Sequence, residues 1–575
     1  MKHLLPFFKQ YKKESFLAPL FKMLEALFDL IVPLVVAKII NVGITNGDKK
    51  YILTHFGILI LMALLGLACS FTAQYFAAKA AIGTSTGLRH KLLAHIKTLS
   101  FSELDALGAS ALITRMTADV NQVQNGINMF LRLFLRSPFI VFGAMIMAFT
   151  INFRISPVFL GIIVILFIIV FGIMFLTKPQ YKRQQHQLDT VTASARGNLE
   201  GVRVIRAFGR EESETEQFDS ENSFLTQLQL KAGRLAAVMN PLNYIVINSG
   251  IILILWLGAG KVQSGVLMSG NVIALINYLS QILVELVKLA NLIILLSKAV
   301  VSCGRIGQVL DTKTSMTFGN VTEDEGDNAL IFDHAGLKYA GAAESSLSDI
   351  SFTLKKGSVL GVIGGTGSGK STLASLAARF YDATEGSVYF MGHNIKDWSE
   401  EALRKKAAVV MQRAQLFSGT IRSNLLYGNP SASDKELWEA LAAAQADDFV
   451  RQKPGMLDAE VEQGGRNFSG GQRQRLSVAR ALVSKPELLI LDDSSSALDY
   501  ATDAAMRRAI SKLPYKPTLI IISQRTAAIE HADNILVLDD GLLLGMGTHD
   551  ELLENCKVYR EIHQSVLGEE DDGND

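Results

Sequence analysis

The composition of the chain lies between that of a soluble protein and that of a membrane protein. Its 575 residues are too many for one ordinary core, so two or more domains are expected. Hydrophobic residues make up 49% of the chain and charged residues 19%, and the mean hydropathy is +0.26. With 56 basic and 55 acidic residues, the net charge of +1 gives no reason to expect a nucleic acid partner. The three cysteines are widely separated and form neither a disulfide framework nor a metal-ligand spacing.

Residues 1–310 are predicted to form a transmembrane domain of six helices. Each of its apolar segments is close to the ~20 residues that span a bilayer. The predicted spans lie near residues 16–42, 53–80, 128–152, 156–177, 238–260 and 270–299. The basic, amphipathic residues 1–15 before them are predicted to lie on the inner face of the membrane.

Two long connections separate short turns in this half. Residues 81–127 and 178–237 are rich in Lys and Arg, and basic loops stay in the cytoplasm. Both termini and everything after Ser302 are therefore predicted to be cytoplasmic, which implies a multi-pass protein of the cell membrane. Because Gly and Pro are sparse in these connections, we expect the membrane helices to continue through them. Each connection should turn around a short lateral segment, near 102–110 and 201–208.

The second half is predicted to be a soluble α/β domain. A linker rich in Thr, Asp, Glu and Gly covers 311–327, and residues 328–566 then alternate short β runs with helical stretches. Residues 330–334 and 359–363 are predicted strands. The acidic tail 567–575, with Glu569, Glu570, Asp571 and Asp572, is predicted to be disordered.

A glycine-rich loop after strand 359–363 predicts a phosphate site. Its residues match G-x-x-x-x-G-K-[ST] and are Gly364, Gly365, Thr366, Gly367, Ser368, Gly369, Lys370 and Ser371. Backbone N–H groups of such a loop wrap a phosphate chain, Lys370 reaches the β and γ oxygens, and Ser371 offers a hydroxyl to Mg²⁺. The helix predicted over 372–379 points its positive end at the anion. A chance glycine-rich turn is disfavoured by the strand before it and the helix after it.

A second motif supports ATP and Mg²⁺ as ligands. The apolar strand 488–491 ends in Asp492, which is predicted to hold Mg²⁺ directly or through water. The sequence 468–472, Phe-Ser-Gly-Gly-Gln, precedes this strand, with residues 473–487 between them. With these motifs the domain resembles the nucleotide-binding domain of ABC transporters. Together with the six spans, almost the whole chain resembles one half of a type IV ABC exporter.

The resemblance implies roles for further residues. Ser469, Gly470, Gly471 and Gln472 resemble the family signature that contacts ATP, and residues 496–499, with Asp499, resemble the D-loop. Gln412 resembles the glutamine that touches Mg²⁺ and senses the membrane domain. Tyr339 and Thr372 fall where the family contacts the nucleotide, with Tyr339 stacked on adenine. Residues 101–119 and 201–212 resemble the two segments that couple the halves.

Two residues depart from the pattern of the family. The general base that follows the metal aspartate is Glu in the family and Asp493 here, one methylene shorter. General-base catalysis depends on reach before pKa, so Asp493 is expected to hold the attacking water less well. The switch histidine of the family is Gln524 here, whose amide forms hydrogen bonds but has no titratable proton. The alternative is that both are harmless variants at a working site.

These departures predict a partner chain. In the family, two domains enclose two ATP molecules, and each site joins the phosphate loop of one chain to the signature of the other. The intact signature here would complete the site of a partner that keeps Glu and His, while Asp493 and Gln524 would form a slow site. The chain therefore resembles the degenerate-site subunit of bacterial heterodimeric ABC multidrug exporters. A homodimer would have two weakened sites.

Charges within the predicted spans suggest where a substrate passes. Lys22, Glu25, Asp29 and Pro33 recur at helical spacing, and a carboxylate in a membrane normally faces a cavity or a partner. Glu25 and Asp29 are therefore candidates to attract cationic amphiphiles. An internal ion pair, such as Lys22 with Glu25, is the alternative. Polar residues of spans five and six are similar candidates, or join helices: Asn243, Asn248, Asn277, Gln281 and Glu285.

Three functions remain in competition. The first is ATP-driven export of hydrophobic compounds by alternating access, and the second is export of a lipid or a peptide by the same architecture. No peptidase-like extension precedes the first span, which counts against a peptide-processing exporter. The third is a regulatory subunit whose ATP site holds a dimer together with little turnover. A soluble ATPase of the related DNA-repair type is excluded by the six spans.

Overall fold

The computed structural model describes residues 5–494 and 497–571. The chain divides into two compact units. The first comprises Met1–Lys97 and Ala109–Thr312, and the second comprises Thr98–Gly108 and Lys313–Asp575. The structure thus assigns residues 98–108, from within the membrane half of the sequence, to the unit that contains the soluble domain.

The described residues up to Asp311 are almost entirely helical. In chain order the helices are α1 (Leu5–Gln10), α2 (Lys12–Lys38), α3 (Lys49–Ile96), α4 (Phe101–Leu107), α5 (Ala109–Thr114), α6 (Val120–Leu133), α7 (Arg136–Ile151), α8 (Pro157–Glu200), α9 (Val202–Ala207), α10 (Glu211–Ala237), α11 (Met239–Gln263) and α12 (Ser269–Asp311). Two stretches of π-helix, Ile39–Ile44 and Arg115–Asp119, continue α2 and join α5 to α6. Six helical segments among the described residues are long and apolar enough to cross a membrane, which confirms the predicted spans.

The membrane helices extend well beyond their apolar parts. α3 continues to Ile96 and α8 to Glu200, as the scarcity of Gly and Pro predicted. The short helices α4 and α9 fall in the two predicted lateral segments. Ser100 and Glu103 form a capping box at the start of α4, so that this short helix has its first N–H groups satisfied.

The core of the first unit contains both large and small side chains. Phe159, Leu166 and Ile254 are fully buried there, beside small residues such as Ala26 and Ala144. Tyr278 of α12 is also buried, and its hydroxyl donates a hydrogen bond to the carbonyl oxygen of Leu30 at 2.6 Å. This bond ties α12 to α2 in an environment that offers the hydroxyl no water.

Two main sheets build the second unit. Its strands are β1 (Asn328–Leu337), β2 (Leu347–Lys355), β3 (Val359–Gly364), β4 (Glu385–Phe390), β5 (His393–Asn394), β6 (Ala407–Val410), β7 (Gly419–Thr420), β8 (Glu460–Val461), β9 (Leu488–Asp492), β10 (Thr518–Ile522), β11 (Asn534–Asp539) and β12 (Leu542–Gly547). The larger sheet has the order β12-β11-β3-β10-β9-β6, and the smaller has the order β2-β1-β4-β5. β6, β9, β10, β3 and β11 are parallel, so their carboxyl ends meet at one edge.

Helices occur between and after these strands. They are α13 (Lys370–Ala377), α14 (Glu400–Lys406), α15 (Ile421–Leu425), α16 (Asp434–Ala443), α17 (Asp447–Arg451), α18 (Gly470–Val483), α19 (Tyr500–Ser511), α20 (His549–Asn555) and α21 (Lys557–Asp571). Both faces of the parallel strands are buried, which explains the continuous apolar runs 488–491 and 519–522 in the sequence. A membrane-helical half followed by an α/β half confirms the predicted fold class.

Three local predictions need correction. The helix predicted over 372–379 begins earlier, at Lys370, and ends at Ala377, because Gly369 adopts a left-handed conformation that caps its start. The strand predicted over 330–334 extends over Asn328–Leu337. The tail predicted to be disordered is helical as far as Asp571, whereas Asp572 lies outside the described residues.

The start of α12 requires a residue without a side chain. A Cβ atom at Gly270 would lie 2.5 Å from the carbonyl oxygen of Ala37 and 3.0 Å from its Cα, so Gly270→Ala should force α12 away from α2. We expect a loss of about 1–3 kcal/mol, the usual cost of overpacking. The measurement is thermal unfolding of the purified protein in lipid.

Gly304 provides the matched control in the same helix. A Cβ atom there meets nothing within 4 Å, so Gly304→Ala should be neutral or should stabilise by up to about 1 kcal/mol through helix propensity. Equal effects of the two substitutions would show that the contact at Gly270 is not tight.

Candidate functional site

The site lies at the carboxyl edge of the larger sheet. The glycine-rich loop follows β3, Asp492 ends β9, and Gln524 follows β10, which lies between β3 and β9. The parallel register therefore brings three distant parts of the sequence to one edge. A cavity of about 400 Å³ opens there. Its wall includes these predicted residues: Thr366, Gly367, Ser368, Gly369, Lys370, Ser371, Thr372, Gln412, Asp492, Asp493 and Gln524.

Lys370 points back into the glycine-rich loop. Its Nζ atom donates to the carbonyl oxygens of Gly364 and Gly365 at 2.8 and 2.5 Å, and it lies 3.3 Å from the hydroxyl of Ser368. Burial lowers the pKa of Lys370, although the carboxylates of Asp493 and Asp492 oppose this effect. The carbonyl groups of Gly364 and Gly365 thus hold the Lys370 ammonium beside the loop, where it can bind an anion.

Hard oxygen ligands converge beside this lysine. The Ser371 hydroxyl donates to Oδ1 of Asp492 at 3.2 Å, and burial raises the pKa of Asp492. Gln412 donates through Nε2 to Oδ2 of Asp493 at 3.1 Å, which leaves its amide oxygen for a cation. A hydroxyl, a carboxylate and an amide oxygen are the ligands that Mg²⁺ prefers, so the residues fit that ion.

Asp493 adopts an unusual backbone conformation. Its φ of +45° is left-handed, a region that Asp tolerates better than most side chains. Its N–H donates to the carbonyl oxygen of Ile522 at 2.9 Å, so the turn after β9 is fixed to the end of β10. This bond brings Asp493 and Gln524 to the wall of the same cavity, and Gln412 binds one carboxylate oxygen of Asp493.

The signature residues occupy a different place. Ser469 caps α18, with its N–H donating to Oε1 of Gln472 at 3.0 Å, and Gly470 and Gly471 begin that helix. No described residue that lines the cavity belongs to the signature. Asp499 caps α19 by accepting from the N–H of Thr502 at 2.8 Å, whereas Ser496 of the D-loop lies outside the described residues.

Tyr339 connects the nucleotide-binding loop to helix α4. Its hydroxyl lies 3.3 Å from that of Thr372, and its ring packs edge-on against Tyr381 at 5.1 Å. The hydroxyl of Tyr381 in turn donates to the carboxylate of Asp105 on α4. Phe101 of α4 packs against Phe380 with 4.7 Å between ring centroids. Neither Tyr381 nor Asp105 belongs to a sequence motif that singles it out, so this link is visible only in the folded chain.

Of the predicted pathway residues, only some come together. Glu25, Asp29 and Glu285 surround Arg136, which sequence analysis also missed, although a charge within predicted span 128–152 was the available signal. Asn277 lines a cavity with Asp29. Asn243 is buried, and neither polar atom of its side chain has a partner among the described residues. Asn248 is exposed and belongs to neither group.

The fold and this site together define an ATP-binding membrane transporter. Family models agree: residues 15–286 match the ABC transporter transmembrane region, and residues 347–496 match the ABC transporter domain. The uncharacterized ABC transporter ATP-binding protein YfiB of Bacillus subtilis is 34% identical and covers 99% of both chains. The chain therefore belongs to the ABC transporter family, as a half-transporter of the exporter type. Its ATPase domain implies ATP hydrolysis coupled to transport.

Two further proteins resemble the chain over almost its whole length. The ATP-dependent lipid A-core flippase of Yersinia pestis is 27% identical, with 99% of this chain and 98% of that protein covered. The solved structure of a bacterial Atm1-family ABC exporter with ATP bound has a TM-score of 0.78 and 22% identity. It covers 96% of this chain and 98% of that one, and it supports the fold.

The buried carboxylate of Asp492 should destabilise the nucleotide-free protein. Because its pKa is raised, the folded state binds this proton more tightly than the unfolded chain, and stability falls as the pH rises above about 4. Asp492→Asn should therefore raise the melting temperature at neutral pH and abolish the stabilisation by ATP and Mg²⁺. Thermal unfolding with and without nucleotide tests both effects. Asp539→Asn, at an exposed carboxylate of the same unit, should change neither.

The bond between Tyr381 and Asp105 should stabilise α4 against local opening. Tyr381→Phe and Asp105→Asn should each increase amide hydrogen exchange in 98–108, and the double variant should add little to either. We expect a coupling energy of about 0.5–1.5 kcal/mol, the range for one such hydrogen bond. Tyr389→Phe on β4 is the control of identical chemistry. Additive effects would mean that the two side chains act independently.

Proposed function

We propose that this chain is one half of a heterodimeric exporter of hydrophobic and amphiphilic compounds in the plasma membrane, with its ATPase domain in the cytoplasm. Its own site would bind ATP with Mg²⁺ and hydrolyse it slowly. Its signature would complete the faster site of a partner that carries Glu and His at the two altered positions. The proposal rests above all on Asp493.

The contacts of Asp493 support slow hydrolysis. A general base must come within about 2.6–3.2 Å of the water that it activates. The side chain here is one methylene shorter than glutamate, and one of its oxygens already accepts a hydrogen bond from Gln412. Gln524, on the same cavity wall, offers an amide in place of an imidazole. Both changes weaken the positioning of a water rather than the binding of ATP.

The position of the signature supports a partner. Ser469, Gly470 and Gly471 lie at the start of α18 and do not line the cavity of their own chain. A nucleotide bound at that cavity thus lacks part of its enclosure until a second domain supplies one. Two copies of this chain would supply signatures to two sites that each have Asp and Gln, so a partner with the usual residues serves the reaction better.

Different residues of the chain have different roles at its own ATP site. The N–H groups of the glycine-rich loop and Lys370 bind and orient the phosphates, and Tyr339 offers its ring to the adenine. Ser371, Asp492 and the amide oxygen of Gln412 are the residues that would hold Mg²⁺. That ion, when bound, neutralises charge on the phosphate oxygens. Tyr381 and Asp105 would carry a change at Tyr339 to helix α4.

A lipid substrate is the second candidate. It is favoured by the relative described above, the ATP-dependent lipid A-core flippase, which shares 27% of its residues with this chain. A lipid and a drug-like amphiphile both combine an apolar body with a polar head. The architecture serves either.

ATP hydrolysis by the chain alone, purified in lipid, is the test of the proposal, with a tagged copy checked for a co-purifying half-transporter. We expect slow turnover alone and fast turnover with the partner. Asp493→Glu should raise the rate of the isolated chain at least tenfold, since general-base catalysis contributes about 10²–10⁴-fold. It should change the rate of the pair by less than about twofold, because the partner's site dominates there.

Asp493→Asn is the matched control. It should leave the rate of the pair nearly unchanged, because it removes only a base that contributes little. Fast turnover by this chain alone that Asp493→Asn abolishes would contradict the proposal and identify Asp493 as a competent base. ATP binding without turnover even beside the partner would instead indicate a regulatory subunit.

A further inference from the structure

Six charged side chains form a cluster between α2, α7 and α12. Arg136 of α7 is its centre: Nη2 donates to Oδ2 of Asp29 at 3.0 Å and lies 3.7 Å from Oε1 of Glu25. Nη1 donates to Oε1 of Glu285 at 2.6 Å. Lys22 pairs with Glu25 at 2.5 Å, which is the internal ion pair considered above as the alternative to a substrate role. Lys288 completes the cluster, so that three cations balance three carboxylates.

Glu285 on α12 and Asp29 on α2 differ in how many hydrogen bonds their carboxylates accept. Glu285 is only 4% exposed, and it accepts from Arg136, from Lys288 at 2.9 Å and from Ser137 at 2.7 Å. Asp29 is 45% exposed and accepts through Oδ2 alone. Its Oδ1 atom accepts no hydrogen bond from any residue that the structure describes. Glu285 is thus a structural group, whereas Asp29 has bonding capacity left.

A cavity of about 430 Å³ adjoins Asp29. Apolar side chains of α2, α7 and α12 form much of its wall, namely Val32, Val36, Ile140 and Val284. The polar part is formed by Asp29, Arg136, Asn277, Ser280, Gln281, Glu285 and Lys288. The cavity therefore combines an apolar surface with a charged end, which fits an amphiphile.

A second acceptor beside Asp29 also lacks a donor. Gln281 donates through Nε2 to the backbone oxygen of Asp29 at 3.2 Å, and a carbonyl accepts only from the nitrogen, so this bond fixes the orientation of the amide. The amide oxygen of Gln281 is enclosed at the wall without a partner within the described ranges. A buried acceptor in this state carries the cost of lost hydration without a compensating hydrogen bond. A donor that entered between the two residues would recover part of that cost.

We propose that this cavity binds the protonated amine of an amphiphile, with the ammonium N–H groups donating to Asp29 and Gln281 and the apolar tail lying along Val32, Val36 and Ile140. Oδ1 of Asp29 and the amide oxygen of Gln281 are acceptors, so a head group with N–H donors satisfies them and one without cannot. Nε of Arg136, on the same wall, is a buried donor without a partner within the described ranges, and the proposed ammonium leaves it unpaired. The proposal rests on the export function proposed above, for which it names the substrate class. A free amine and an aminophospholipid share this chemistry.

Binding is measured without ATP, on the full chain with any co-purifying partner, in phosphatidylcholine nanodiscs. The probes are dodecylamine and dodecyltrimethylammonium, which have the same chain and charge, but only the first has N–H donors. We expect calorimetric titration, corrected for empty nanodiscs, to give at least fivefold tighter binding of dodecylamine. Equal affinities would overturn the proposal.

Two variants with opposite expectations distinguish a site from general damage. Asp29→Asn should weaken dodecylamine binding about tenfold, the loss for one charged hydrogen bond of about 1.4 kcal/mol. Asp29→Glu should keep most of the affinity. Lys288→Gln should tighten binding, because it removes a cation from the same wall. Loss of binding in both Asp29→Asn and Lys288→Gln, or in neither, would overturn the proposal.

A change in the lipid composition of the nanodiscs distinguishes a free amine from an aminophospholipid as the natural ligand. If phosphatidylethanolamine nanodiscs suppress dodecylamine binding, an aminophospholipid head group occupies the cavity; unchanged binding indicates a free amine, and both results support the site. Because no nucleotide is present, a failed titration leaves the proposed slow ATP site intact. Conversely, fast hydrolysis by the chain alone leaves the amine site intact.

Discussion

The absence of water in the hydrocarbon core of a bilayer is the constraint on which the first unit depends. Every backbone N–H and C=O group must find a partner within its own segment, and continuous helices provide this. A helix that has begun in the membrane then continues at little cost where the sequence has no Gly or Pro to stop it. α3 has 48 residues, or about 72 Å at 1.5 Å per residue, against a hydrocarbon core of about 30 Å. α4 and α9 therefore begin in sequence well beyond the apolar parts of α3 and α8.

The same constraint acts on side chains. A lone charge at membrane depth is expensive, so the charges of α2, α7 and α12 occur in mutually neutralising groups around Arg136. Removal of one member of such a group is destabilising, because it leaves another charge unpaired in an apolar environment. The carboxylate of Glu285 accepts hydrogen bonds from three donors, whereas that of Asp29 accepts from Arg136 alone among the described residues. A transporter can use the difference, since the group that is not satisfied by the protein is available to a ligand.

The sequence predicts well whatever depends on local periodicity. The six spans, the strand before the glycine-rich loop and the turn into Asp492 follow from apolar runs and from residues that favour one conformation. Contacts between distant segments are different. No pattern near Arg136 specifies that it faces Glu285, 149 residues away, and nothing near Tyr381 indicates Asp105, 276 residues away. Such pairs depend on the packing of whole elements, which is why the place of Arg136 among the carboxylates and the link from Tyr381 to α4 emerged only from the structure.

The division of the chain into units has a consequence for work with fragments. The second unit includes Thr98–Gly108, and Glu103 there accepts from the N–H of Ser315 at 3.3 Å, while Phe101 covers Phe380. A soluble fragment that begins at Lys313 leaves out this segment and exposes aromatic surface at Phe380 and Tyr381 to water. Such a fragment lacks the contacts that α4 makes with Phe380 and Tyr381 in the whole chain. A graft of 98–108 through a flexible linker, placed before Lys313, would restore these contacts.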